Sequence, residues 1–480
     1  MTDFANVTLA DADLPHVEGH GLTAWFAEAR ALSTLAGPLI ATQLSQMAIM
    51  TTDVIMLGRL SKTALAASAL GNTVFFFTWL VGCGPVAAVA PLIAHILGAH
   101  PNNRAGVRGV VRMGFWSVGM LCLPLIVVLL MTRPILLALG QQPDLATLAG
   151  AFTTALCLGL PFSLGYQVLR NFATALGRPR SALYVMAFAI AFNFVGDYAL
   201  IFGHFGMPKL GIVGAGIASA CSYLFQFLTM AAIVSLSPKL KVNRVFRRFF
   251  RPDWTKLAEI FRLGMPIGLT MIFEAMMFNA ATLLMGQFGT AAVAGHQIAL
   301  NVASLTFMVP LGLAMAATVR VGLSAGAGDR EGVRRAGFTA MAVSILCMSV
   351  FAVIFLAFPQ AIAHAYFANT GANADAIALT VKFLGVAAAF QIFDGLQVVG
   401  ALSLRGLKDA RTPMWIAGGS YWLVGFPACL LLGFGFGLQG VGIWMGLLVG
   451  LFVAAISMAA RFHYLSREPV RHANLESLSR

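Results

Sequence analysis

The chain contains little charge: only 10% of its 480 residues are Asp, Glu, Lys or Arg, whereas 59% are hydrophobic. Its mean hydropathy of +0.84 lies far above that of ordinary soluble domains and excludes that class. The six cysteines occur singly, without the spacing of a disulfide framework or a metal site, and are interpreted as small packing residues. The composition therefore predicts a polytopic membrane protein.

Two further features are missing. The first ~30 residues are polar and acidic rather than basic and then apolar, so no cleaved signal is expected. The alternating pattern of membrane β-barrels is also absent. Instead, apolar runs recur that are long enough for a helix to cross the ~30 Å hydrocarbon core. The sequence predicts an all-α integral membrane protein with twelve spans, at residues 33–57, 66–97, 107–131, 145–169, 181–203, 211–236, 264–285, 293–319, 333–358, 377–404, 413–433 and 437–460.

The net charge of +13 has a topological explanation. With the N-terminus inside, nearly all of the 31 Lys and Arg fall on one side of the twelve-span map. The exceptions are Arg59, Lys62, Arg133 and Lys209, with Lys382 just inside the opposite end of its span. This asymmetry predicts a bacterial inner-membrane protein with both termini in the cytoplasm, and it makes nucleic acid an unnecessary partner.

The chain divides into two similar halves. At an offset of 228 residues, Pro38 aligns with Pro266 and Thr42 with Thr270. We expect a cytoplasmic segment at 1–32, an N-lobe of six helices at 33–236, a basic linker at 237–263, a C-lobe at 264–460 and a tail at 461–480. An even number of helices per half predicts a pseudo-two-fold axis along the membrane normal, as in parallel-repeat transporters. The linker, with its arginines and aromatics, is expected to lie on the inner leaflet.

Four acidic residues fall well inside predicted spans: Asp53, Asp197, Glu274 and Asp394. Each costs ~2.5–3.5 kcal/mol at a helix centre on insertion scales, so all four are expected to face protein or water. No Lys or Arg is expected beside them at depth. Asp53 and Asp197 share one depth in the first half, and Glu274 and Asp394 share another in the second. An alternative is that the acids only hold packed helices together.

Neighbouring oxygen atoms make these acids candidate cation sites. Asn193 lies four residues before Asp197 on the same helical face, and Ser219 could add a hydroxyl. Asp53, Asn193 and Asp197 would offer hard oxygen ligands for Na⁺, or a carboxylate pair that shares a proton. Glu274 and Asp394 could do the same in the second half.

Four stretches resemble the multidrug and toxic compound extrusion family, in its NorM-like bacterial branch. They are TTDVIMLGRL in span 1, GMPIGLTMIFEAMMF in span 7, HQIALNVASLTFMVPLGLAMAATVRVG in span 8 and DGLQVVGALSLRGLKDARTP in span 10. The resemblance covers about residues 30 to 460. It implies that Asp53, Glu274 and Asp394 act in ion coupling or substrate release, and that Asn193 and Asp197 form the span 5 pair.

The chain departs from the family at two of these positions. NorM-like members often have asparagine where this chain has Asp197, whereas the aspartate resembles the archaeal-type branch and favours proton coupling. Ser219 stands where threonine is common, which keeps the hydroxyl. Further polar residues are candidates for the substrate cavity: Gln46, Gln297, Asn301 and Gln391.

The resemblance implies a monomeric antiporter that expels cationic, lipophilic drugs and dyes in exchange for Na⁺ or H⁺, without a cofactor. The alternative within the same superfamily is a flippase for lipid-linked oligosaccharides, which would need a basic cavity. An enzyme would need a catalytic constellation, and neither His95 nor His296 lies beside a deep acid in sequence. We therefore predict a transporter rather than an enzyme.

Overall fold

The computed structural model describes residues 21–366 and 373–467. Most of the predicted N-terminal segment and the end of the predicted tail lie outside these residues. The described chain folds into helices without any β-strand, which confirms the all-α prediction. Contacts divide it into two compact units. Their described parts are residues 41–268 for unit 1, and residues 21–40, 269–366 and 373–467 for unit 2.

Unit 1 is built from the first half of the chain. Its helices are α1 (Leu22–Leu60, from residue 41 on), α2 (Lys62–Ala87), α3 (Val89–Ala99), α4 (Arg104–Leu130), α5 (Thr132–Ala138), α6 (Pro143–Leu156), α7 (Gly159–Ala175), α8 (Arg180–Phe202), α9 (Ile212–Leu236), α10 (Pro238–Lys241) and the first part of α11 (Trp254–Met285). Predicted span 4 is broken here, since α6 and α7 meet at 49°.

Unit 2 takes most of the second half. After α11, a 3₁₀ turn (Gly286–Phe288) leads to α12 (Thr290–Gly326), α13 (Arg330–Ala357), α14 (Pro359–Tyr366), α15 (Ala374–Gly406), α16 (Arg411–Gly418), a π-helix (Gly419–Gly425), α17 (Phe426–Leu430), a second π-helix (Leu431–Gly435) and α18 (Gln439–Arg467). Predicted span 11 is therefore not a uniform α-helix. The large buried side chains Trp444, Phe383 and Phe390 form part of the core of this unit.

The span count agrees with the sequence. Among the described residues, ten helices are long and apolar enough to cross a membrane, and eleven if the bent α6–α7 pair counts as one. Helix α1 has 39 residues and is long enough to cross a membrane. It is not among these apolar helices because Gln43, Gln46 and Asp53 lower its mean hydropathy. Counting α1 as a span gives the predicted twelve.

Two helices pass from one unit to the other. Unit 1 begins at Ala41 within α1 and ends at Gly268 within α11, so the division points Ile40 and Gly268 are 228 residues apart, the offset that aligns the halves. The early part of α1 packs in unit 2, where a Cβ on Gly312 would lie 2.5 Å from Ile40. The early part of α11 packs in unit 1, where a Cβ on Gly264 would lie 2.3 Å from Pro85. The predicted lobe boundaries instead placed the span at 33–57 entirely in the N-lobe and the span at 264–285 entirely in the C-lobe.

One close approach sets the geometry of the unit 1 site. A Cβ on Gly214 of α9 would lie 2.4 Å from the carbonyl oxygen of Leu200 on α8, so only glycine allows this spacing. Helix α9 therefore packs directly on α8. The close contact lies just before Ser219 along α9 and just after Asp197 along α8, and it brings both residues towards α1.

Candidate functional site

Unit 1 gathers its predicted residues from three helices. Asp53 on α1 is half-buried, whereas Asn193 and Asp197 on α8 are completely buried. The Ser219 hydroxyl on α9 donates a hydrogen bond of 3.3 Å to an oxygen of Asp53. Asn193 and Asp197 lie close enough to Asp53 to interact with it electrostatically, and the two carboxylates repel each other when both are charged. The structure thus brings together all four predicted residues.

This cluster has unused hydrogen-bonding capacity. Neither amide atom of Asn193 and neither carboxylate oxygen of Asp197 completes a hydrogen bond with another described residue. One oxygen of Asp53 is equally unsatisfied within the described chain. Buried polar atoms usually have partners, because an unpaired one costs roughly 1–3 kcal/mol. Unsatisfied carboxylate and amide oxygens are the ligands that a small hard cation or a proton would use.

Sequence reasoning missed one member of the unit 1 site. Tyr223 lies one helical turn after Ser219 and interacts electrostatically with Asp53. Its ring stacks on Phe75 of α2 at 6.0 Å between centroids. The spacing from Ser219 to Tyr223 was a usable signal, since residues four apart share a helical face.

Unit 1 also contains a cavity of about 400 Å³. Its walls come from the ends of α1 and α8 and from the turn after α8: Thr52, Ile55, Met56, Arg59, Phe194, Tyr198, Phe202 and His204. Thr52 and Tyr198 are the sequence neighbours of Asp53 and Asp197. Consecutive residues of a helix point in different directions, so none of the acids is among the residues that line this cavity, whose walls hold four aromatic rings and Arg59.

Unit 2 also brings its two acids into electrostatic contact. Asp394 on α15 is buried and interacts with Glu274 on α11, which is half-buried. The buried side chain of Tyr421 interacts with both acids, and its hydroxyl has no hydrogen-bond partner among the described residues. Tyr421 belongs to a π-helix, a rare conformation that is frequent at functional sites. No sequence pattern indicated this residue.

One basic residue interacts with an acid of unit 2, from the last turn of α15 rather than from the depth of the acids. Arg405 attracts Glu274 electrostatically. The sequence placed Arg405 just past the end of span 10, but α15 continues to Gly406 and its residues from Val398 onward are buried. Arg405 is therefore enclosed by protein and remains close to the acid.

The predicted cavity residues have different environments. Gln391 is buried, one turn before Asp394, and its side-chain oxygen accepts a hydrogen bond from Thr306. Gln46 is half-buried, and Gln297 is exposed. Asn301 is also exposed, and its side-chain oxygen accepts a 2.9 Å hydrogen bond from Tyr366. Their role in a substrate cavity stays a prediction.

Within the described residues there is no group of three or more His, Cys, Asp or Glu that could hold a metal ion, so a Na⁺ site would depend on Asn, Ser and main-chain oxygens as well as carboxylates. The buried His296 has Thr282 as its hydrogen-bond partner at 3.1 Å and packs edge-on against Trp444.

Comparison with known proteins agrees with this architecture. The MatE family model matches residues 38–199 and 266–431, one match in each half. A probable multidrug resistance protein NorM of Mesorhizobium japonicum is 44% identical over 441 residues, covering 91% of this chain and 94% of the relative. The NorM protein of Brucella suis is 42% identical over 439 residues, covering 91% and 93%.

Solved structures give the same fold. The eukaryotic MATE transporter AtDTX14 superposes with a TM-score of 0.81 at 24% identity, covering 93% of this chain and 99% of that one. The Vibrio cholerae MATE transporter VcmN in its bent form gives 0.80 at 19% identity, covering 95% and 99%. The twelve-helix, two-lobe architecture predicted from the sequence is the MATE fold. The chain is therefore a multi-pass membrane protein that belongs to the multidrug and toxic compound extrusion (MATE) family.

Proposed function

We propose that this protein is a secondary antiporter that exports cationic, lipophilic drugs and dyes in exchange for Na⁺ or H⁺. The observation that carries the proposal is the cluster of Asp53, Asn193, Asp197 and Ser219, whose buried oxygens lack partners within the described chain. The names of the NorM relatives, probable multidrug resistance proteins, support the drug class.

Competition for charge supplies the coupling. Two carboxylates in an apolar surrounding attract an organic cation, and Na⁺ or H⁺ bound to them removes that attraction. Transport follows if the ion and the drug each stabilise a different access state, because each ligand shifts the equilibrium only by its differential affinity. In the unit 1 cavity, the faces of Phe194 and Tyr198 would attract an organic cation, whereas Arg59 in the same wall would repel it.

The protein is further proposed to act as a monomer in the bacterial inner membrane, with both termini in the cytoplasm. The strong asymmetry of Lys and Arg along the sequence supports this orientation in the membrane. A reporter enzyme that is active only in the cytoplasm, fused after the C-terminus, should be active. A periplasm-specific reporter that is active there would contradict the orientation.

The decisive experiment measures ethidium efflux from proteoliposomes. An imposed Na⁺ gradient at fixed pH is compared with an imposed pH gradient without Na⁺. Efflux driven by Na⁺ alone would assign the oxygen cluster to Na⁺, and efflux driven by protons alone would assign it to shared protons. An absence of efflux under both gradients would overturn the proposal and favour the flippase alternative.

A variant links the efflux to the site. Asp197→Asn, the residue that related proteins often carry, keeps the side-chain shape but replaces one accepting oxygen with a donating NH2 group and removes one titratable carboxylate. We expect proton-driven efflux to fall strongly while Na⁺-driven efflux is retained. The exposed Asp144 provides the matched control, and Asp144→Asn should leave both unchanged.

A further inference from the structure

Five arginines lie close together where the central linker folds onto α4. Arg108 and Arg112 lie on α4, and Arg244, Arg247 and Arg248 lie in the linker; we call these five the arginine cluster. Arg108 is repelled electrostatically by each of the other four. The sequence placed them in two separate segments, about 130 residues apart, so only the fold reveals the cluster.

The linker is held against α4 by specific contacts. Trp116 donates a 3.0 Å hydrogen bond to the carbonyl oxygen of Phe249, and Arg112 donates one of 3.3 Å to that of Arg248. Phe115 packs against Phe246 and Phe249, with centroids 6.0 and 5.8 Å apart. The arginines are therefore presented by a packed surface.

The backbone shows that this arrangement is strained. Arg244 and Arg248 have φ values of 45° and 57°, in the left-handed region that non-glycine residues rarely adopt. Such conformations persist only where the surroundings hold them, and they cluster at ligand sites. The Nε atoms of Arg108 and Arg112 are buried and lack a hydrogen-bond partner among the described residues. The cluster has donors and charge that are not satisfied within it.

One acidic residue of the linker interacts with this cluster. Asp253 is the acid that interacts with the cluster, through Arg112, and its carboxylate is already bound by Lys256 at 2.8 Å. Partial burial alone would raise the pKa of Asp253, but the hydrogen bonds and the charge of Lys256 outweigh it and hold this pKa below its usual 3.8. Asp253 is therefore paired with Lys256 and offsets only part of the positive charge of the five guanidinium groups.

The surroundings indicate which kind of anion binds. Phe250 and Trp254 flank the cluster with exposed fractions of 86% and 63%. Exposed aromatic and aliphatic side chains beside arginines are typical of the membrane interface, where they enter the headgroup region. A soluble phosphate would make no use of these side chains. Guanidinium groups bind phosphate oxygens in bidentate geometry.

We propose that the arginine cluster is a binding site for an anionic phospholipid headgroup that carries two phosphates. A headgroup with two negative charges bridges α4 and the linker and neutralises more of the cluster than a single phosphate does. The site does not depend on the transport cycle proposed above, although its location in the inner leaflet follows from the same charge asymmetry.

The test measures lipid binding to the purified full-length protein in nonionic detergent. The probes are cardiolipin, with two phosphates, phosphatidylglycerol, with one, phosphatidylcholine, which is zwitterionic, and free pyrophosphate. We expect cardiolipin to bind roughly tenfold more tightly than phosphatidylglycerol, and its affinity to fall with added salt. Equal affinity for phosphatidylcholine would overturn the proposal, and so would pyrophosphate binding as tight as cardiolipin.

Two double variants with the same charge change locate the site. Arg108→Gln with Arg247→Gln should weaken cardiolipin binding roughly 10- to 30-fold. The control, Arg330→Gln with Arg334→Gln, removes two exposed arginines outside the cluster and should change binding less than about twofold. Equal losses in both variants would show nonspecific charge attraction and contradict the proposal.

Folding and transport are checked separately. If the cluster double variant does not fold, Arg247→Gln alone, at an exposed linker position, should still weaken binding several-fold; unchanged binding would contradict the site. Ethidium efflux is measured in phosphatidylcholine vesicles for all variants. If the unmodified protein binds cardiolipin but drives no ethidium efflux, the result contradicts the antiporter proposal and leaves the lipid site supported.

Discussion

The acid sites of the two units differ in how their charge is compensated. In unit 1, Asp53 interacts with Asp197 and with the neutral side chains of Asn193 and Ser219. In unit 2, Glu274 interacts with Asp394 but is also attracted by Arg405. The unit 1 site therefore retains more negative charge for a mobile cation, so we expect it to contribute most to ion coupling.

A third acid extends this comparison. Glu28 on α1 is buried and binds the buried guanidinium of Arg320 through both carboxylate oxygens. The three acids thus form a series, from Asp53 with neutral and acidic neighbours, through Glu274 with a nearby arginine, to Glu28 in a bidentate ion pair. Neutralising Asp53 should therefore affect transport, whereas neutralising Glu28 should affect the stability of the fold.

The largest effect is expected for Asp53→Asn. The substitution keeps the side-chain shape but removes the charge that binds the cation, and a buried charge pair is worth ~2–5 kcal/mol. Gradient-driven ethidium efflux in proteoliposomes should fall roughly 100-fold. Thermal stability should not fall, since repulsion between Asp53 and Asp197 is relieved. Retained efflux would remove unit 1 from the coupling mechanism.

A large effect on stability is expected for Glu28→Gln. Removing the carboxylate of a buried ion pair takes away the charge that Glu28 supplies to Arg320 and costs ~3–5 kcal/mol. The matched control is Asp409→Asn, which breaks a more exposed pair with Arg461 at 3.0 Å and should cost less than ~1 kcal/mol. Thermal unfolding in detergent measures both. Similar shifts for the two variants would show that burial does not distinguish these pairs.

An intermediate effect on transport is expected for Glu274→Gln. Arg405 already offsets part of the charge of Glu274, so less attraction is lost than at Asp53. We expect the apparent ethidium affinity to fall roughly tenfold, because an uncompensated Arg405 repels the organic cation. A loss as large as that of Asp53→Asn would make the two sites equivalent and contradict the comparison.

The smallest effect is expected at Ser219. Ser219→Ala removes the hydroxyl that donates the 3.3 Å hydrogen bond to Asp53, and such a bond contributes ~0.5–1.5 kcal/mol. Efflux should fall about two- to tenfold. Ser219→Thr keeps the hydroxyl and should restore most of the activity. If the threonine variant is as impaired as the alanine variant, packing rather than the hydroxyl explains the loss.

The two units also differ in how well the sequence predicted their sites. In unit 1, α8 is a regular α-helix, so the four-residue spacing placed Asn193 and Asp197 correctly on one face. In unit 2, predicted span 11 alternates between α- and π-helix. Each π-helical turn shifts the direction in which the following side chains of this span point. Tyr421 reaches the acids through this irregular stretch, and periodicity based on 3.6 residues per turn could not have placed it.

The sequence by itself determined the membrane class, the twelve spans, the two repeats and the four intramembrane acids. These follow from local properties, because apolar length and isolated charges have large transfer energies that depend little on neighbours. The fold alone decided which distant side chains meet, namely Tyr223 with Asp53, Arg405 with Glu274 and the linker arginines with α4. Those meetings depend on close helix packing and on interrupted helices, which arise only when segments far apart in the chain pack together.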